Sequence, residues 1–80
     1  MKVNYTPKGI CAKNITFDLE DGIVRNVVIT GGCPGNHLGL AALAEGMKAE
    51  EIVRRLENID CGGKGTSCPD QLAVAIKENL

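Results

Sequence analysis

The chain has no tryptophan, one phenylalanine and one tyrosine, so aromatic residues supply almost none of its apolar bulk. Valine, isoleucine, leucine and alanine must form the core instead. At 80 residues it makes one domain, and a domain of this size buries only about 60 to 65% of the surface its unfolded chain exposes. Such a thin core gains from a covalent or metal staple. There is no excess of charge of either sign, with nine basic residues against ten acidic and a net charge of −1. That balance argues against nucleic acid and anionic membranes as partners, since both recruit a basic surface. Long hydrophobic runs are also lacking, and residues 1–7 carry no apolar signal segment, so neither a bilayer span of about 20 residues nor secretion is expected. The expected compartment is the cytoplasm.

What the chain does have is four cysteines, Cys11, Cys33, Cys61 and Cys68. A reducing cytoplasm disfavours structural disulfides, so these residues read as metal ligands or redox-active thiols. Their separations of 22, 28 and 7 residues contain no C-x-x-C pair. This is not a zinc-finger or zinc-ribbon spacing, and the case for a shared site rests on topology.

Apolar Ile15, Phe17 and Leu19 alternate with Thr16, Asp18 and Glu20 across residues 14–20, the period of a strand with one buried face. Asp21-Gly22 is a two-residue turn, and residues 23–30 form a β-branched run that completes a hairpin. Val3 and Tyr5 suggest a further short strand before Pro7. The run Gly31-Gly32-Cys33-Pro34-Gly35-Asn36 breaks the strand. Asn36 is placed to cap a helix that carries Leu38, Leu40 and Leu43 and stops at Gly46. No charged residue lies between His37 and Ala44, which predicts a helix sandwiched between the sheet and other helices. A second helix over roughly residues 49–58 groups Ile52, Val53, Leu56 and Ile59 on one face and pairs Glu50 with Arg54 and Glu51 with Arg55. After a glycine-rich loop at 60–67, Cys68-Pro69-Asp70 opens a last helix with Leu72, Ala73, Ile76 and Leu80 inward. The expected fold is α+β, a small antiparallel β-hairpin or three-stranded sheet followed by three helices packed on it.

This topology brings the cysteines to one edge. Cys11 precedes the first long strand and Cys33 follows the second, so both lie at the end opposite the hairpin turn. Cys33 and Cys68 stand at helix starts, where unpaired amides and the helix dipole stabilise a thiolate, and the glycines after Cys61 let the chain fold back toward Cys68. One tetrahedral zinc ion held by Cys11, Cys33, Cys61 and Cys68 follows as the first expectation. His37, one turn after Cys33, reads most simply as a partly exposed helix-start residue, with a role as ligand or hydrogen-bond partner as the alternative. The loop Gly62-Gly63-Lys64-Gly65-Thr66-Ser67 lacks the spacing of a phosphate-binding loop and its preceding strand. Asp60 and Asp70 are expected to be caps or solvated charges.

The run Thr66-Ser67-Cys68-Pro69-Asp70 spells the signature of the TSCPD domain, and residues 31–36 with Cys61-Gly62-Gly63-Lys64 resemble the rest of its pattern, from about Cys11 to the C-terminus. That domain occurs at the C-terminal end of adenosylcobalamin-dependent ribonucleotide reductases and as small four-cysteine proteins of this length. The resemblance implies an accessory or interaction protein, with another protein, such as a reductase, as partner. It does not imply ribonucleotide reduction by this chain alone, because the barrel, the radical cysteine and the cobalamin site do not fit in 80 residues. The order of elements is also similar to that of iron–sulfur cluster scaffold proteins, which would make Cys33, Cys61 and Cys68 cluster ligands, with Pro34 and Cys11 as departures. Two further readings stay open beside zinc: an iron–sulfur cluster, and a dithiol pair, Cys61 with Cys68, that passes electrons to a reductase. A homodimer through the apolar first helix is a further possibility.

Overall fold

The computed structural model describes residues 1–10, 12–31, 34–60, 62–63 and 65–80. Three strands, β1 (Lys2–Tyr5), β2 (Ala12–Glu20) and β3 (Ile23–Gly31), are followed by three helices, α1 (Pro34–Ala44), α2 (Ala49–Leu56) and α3 (Cys68–Lys77). The strands form one antiparallel sheet in the order β1-β2-β3. The chain is therefore α+β with a three-stranded sheet, the larger of the two expected sheets. Asp21 and Gly22 both adopt positive φ, 51° and 76°, the type I′ geometry that matches strand twist in a two-residue hairpin.

The alternation in β2 buries Ile15, Phe17 and Leu19 on one face. In β3 a simple alternation would place Val24 and Val28 together, yet Val24 and Val27 are buried and Val28 is 55% exposed. The cause is a bulge. Asp18 pairs with Arg25 and Thr16 with Val28, so Phe17 faces both Asn26 and Val27. Asn26 takes up the extra residue at φ 56°, a conformation that asparagine tolerates better than most residues. Its side-chain amide donates to Asp18 Oδ2 at 2.8 Å and its backbone N–H to Glu45 Oε1 at 2.8 Å. The chain between α1 and α2 shields this outer edge: Val24 N–H donates to the Met47 carbonyl, Gly46 N–H to the Val24 carbonyl and Ala49 N–H to the Gly22 carbonyl. The start of an otherwise open strand edge is thereby satisfied.

The sheet's inner face meets Ile52 from α2 and Leu72 and Ile76 from α3, all essentially inaccessible, each contributing about 1.5 to 3 kcal/mol by burial. Helix α2 packs on α3, while α1 packs on β3. Several expectations change here. Helix α1 begins at Pro34, not at Asn36, because proline lacks the amide that a helix start leaves unpaired. Nor is α1 sandwiched. Its main partner is β3, and His37 and Ala44 are buried while Leu38 and Leu43 are 72% and 75% exposed. Helix α2 ends at Leu56, leaving Ile59 partly exposed beyond it, and Leu80 lies past α3 in solvent. On α2 it is Glu51 that binds both Arg54 and Arg55. Arg55 first, then Arg54, hold its carboxyl below the usual range. No helix among the described residues is long and apolar enough to cross a membrane.

The bulge makes a direct prediction. Val27→Asn should lower the unfolding free energy by about 2 to 4 kcal/mol, since it loses apolar burial and strands an amide in the core. Val28→Asn should stay within about 0.5 kcal/mol. Urea midpoints measure both, and the reverse ranking would mean that β3 runs without the bulge.

Candidate functional site

The start of α3 is built almost entirely from its own five-residue motif. Ser67 is the N-cap, in extended conformation, and its hydroxyl accepts the Asp70 backbone N–H at 3.1 Å, which satisfies one of the helix's unpaired donors. Pro69 sits in the first turn, where a missing N–H costs nothing. Asp70 is only 8% exposed. Its carboxylate accepts the Thr66 hydroxyl at 2.7 Å and the Asn58 backbone N–H at 2.6 Å, so a buried charge is matched by strong donors. Thr66, Ser67, Pro69 and Asp70 thus combine to hold one residue, Cys68, at the helix entrance.

Neighbouring segments lock onto the same point. Asn58, at φ 65°, turns the chain out of α2. Asp60 folds the following loop by accepting the backbone N–H groups of Gly63 and Gly65, both at positive φ (81° and 79°), where a side chain would be strained. Asp60 therefore acts as a loop cap, and Asp70 goes beyond a cap to join three segments. Gln71, which no motif or spacing marks as a site residue, accepts the Tyr5 hydroxyl and the Lys8 backbone N–H with Oε1, each at 3.1 Å, and donates to Thr66 Oγ1 at 2.9 Å. Gly9 lies so close to Thr66 that a Cβ there would stand 3.2 Å from its methyl group. The stretch between β1 and β2 is in this way tied to α3.

His37 departs from the simple expectation. It is 6% exposed, and its Nε2 lies 3.2 Å from Cys68 Sγ. Its position on the sheet-facing side of α1 carries the ring inward, and a register of this kind is not visible in the sequence without the start of α1. Its Nδ1 is buried with no hydrogen-bond partner among the described residues. Of the four candidate cysteines, Cys68 is described and half-buried, whereas Cys11, Cys33 and Cys61 lie outside the described residues. Among the described residues, no group of three or more His, Cys, Asp or Glu side chains is placed to hold a metal ion. The donors that are described at this point, a thiol at a helix N-terminus and an imidazole nitrogen, are of the types that bind zinc, copper and iron.

The family model described as the TSCPD domain matches residues 1–80. Neither the curated proteins nor the solved structures contain a match to the chain.

Tyr5 reports on the network. Burial, then the negative charges of Glu78 and Asp70, raise its phenol above the ordinary 10.0. Folding favours the neutral phenol, so the contribution to stability is complete below the unfolded value and is lost as pH rises through the higher folded one. As the single tyrosine, it should show a phenolate absorbance midpoint above 10.0 in the folded protein. A midpoint at the free-phenol value would mean that Tyr5 does not pack against α3.

Proposed function

The chain belongs to the TSCPD domain family along its whole length, a small domain of ribonucleotide-reductase type, and on that premise we propose that it is a zinc-binding module. In this reading Cys11, Cys33, Cys61 and Cys68 hold one zinc ion, and the stiffened domain serves a partner protein of reductase type as an accessory rather than as a catalyst. The observation that carries it is where the described neighbours of the cysteines lie. Gly9, two residues before Cys11, packs on Thr66. Ala12, one residue after Cys11, pairs with Gly31, two residues before Cys33. His37, four residues after Cys33, reaches Cys68. Asn58, three residues before Cys61, donates to Asp70, two residues after Cys68. At 3.8 Å per residue, chain length permits the other three cysteines to reach the start of α3.

Four thiolates fill a tetrahedral sphere and leave no position for substrate, which makes the site structural. Bound zinc would supply a rigid crosslink between the sheet end and the helix starts, the staple that a thin core lacks.

Elemental analysis of anaerobically purified protein should find about one zinc per chain, with all four thiols shielded until a chelator is added, and chelation should lower the thermal midpoint. Iron with inorganic sulfide, and a brown colour, would replace zinc by a cluster. Metal-free protein with freely titrating thiols would overturn the module and favour a dithiol pair of Cys61 and Cys68.

A further inference from the structure

Four thiolates around one divalent cation carry excess negative charge, and at the half-buried Cys68 sulfur that charge needs compensation beyond the metal. The helix dipole of α3 offers some, since Cys68 is its first residue. His37 Nε2 lies 3.2 Å from the same sulfur. We propose that His37 is the positioning residue of the centre: its Nε2–H donates a hydrogen bond to the Cys68 thiolate and it does not ligate the metal. The inference rests on the zinc reading above.

The two ring nitrogens separate the roles. Nε2 is 3.2 Å from Sγ, and because a zinc-bound thiolate only accepts, the proton would belong on Nε2 in the loaded protein. Nδ1 is then an unprotonated acceptor, consistent with its burial without a partner among the described residues. Ligation through Nε2 would instead move the ring proton to Nδ1. Ligating histidines almost always pass that proton to a carboxylate, carbonyl or water, and a buried N–H without an acceptor is the rarer and costlier defect. The donor is also well fixed. His37 is 6% exposed on a helix packed against β3, where it lines a 220 Å³ apolar pocket with Val27, Ile29 and Ala41. An apolar surround leaves the ring no competing partner and strengthens the bond it makes.

The test uses the full chain loaded with zinc or cobalt(II). His37→Phe keeps ring bulk and removes the donor, and His37→Gln returns an N–H near the position of Nε2. Zinc affinity, measured by competition with a chelator, should fall about 10- to 100-fold in H37F and recover in H37Q. In the cobalt form the thiolate-to-metal charge-transfer band should shift to longer wavelength in H37F, because the sulfur loses its donor, and return in H37Q. The ligand-field bands should keep their four-sulfur character in all three proteins. Unchanged affinity and charge-transfer energy in H37F, with zinc still bound, would overturn the role of His37 and leave the zinc module standing. Altered ligand-field bands in H37F would make His37 a ligand and overturn the proposal from the other side. A wild-type chain that binds neither metal would overturn the module and this inference with it.

Discussion

The buried carboxylate of Asp70 is the constraint on which the functional end of this protein depends. A charge placed at 8% exposure is costly unless every strong donor nearby is turned toward it. Here the donors come from separate stretches of chain, Asn58 after α2 and Thr66 in the loop, while the backbone N–H of Asp70 itself is taken by Ser67. Satisfying one side chain therefore closes the loop between α2 and α3 and sets the direction in which α3 leaves it. Gln71 extends the same logic to the N-terminal arm by taking hydrogen bonds from Tyr5 and Lys8.

This arrangement gives a physical account of a motif that would otherwise be only a string. Thr66 orients the carboxylate, Ser67 caps the helix, Pro69 occupies a position that needs no amide and Asp70 collects the donors. None of the four has to touch a ligand to matter. Their shared product is the placement of Cys68 as the first residue of α3, with its sulfur 3.2 Å from His37 Nε2.

The sheet contributes by parity. A strand without bulges would send Val24 and Val27 to opposite faces. The extra residue at Asn26 restores Val27 to the core and releases Val28. A second irregularity between Ala12 and Asn14 buries Ala12 three residues before Ile15. That end of the sheet is where β2 starts after Cys11 and β3 finishes before Cys33, so these local defects orient the backbone flanking both cysteines.

Local and periodic features were legible in the sequence by itself. The two long strands, the Asp21-Gly22 turn, the three helices and the start signals of α3 depend on residues within a few positions of one another, and their physics is complete over that range. The family was legible for the same reason, since its motif is a contiguous run of five residues. Packing was not legible. The uncharged composition of α1 suggested burial on all sides, yet α1 packs chiefly on β3 and leaves Leu38 and Leu43 exposed. The burial of His37 depends on α1 starting at Pro34 and lying on β3, and the importance of Gln71 on a strand 66 residues away in the chain. Contacts of that range are set by which faces meet, and side-chain period alone determines that a face is apolar without determining what covers it.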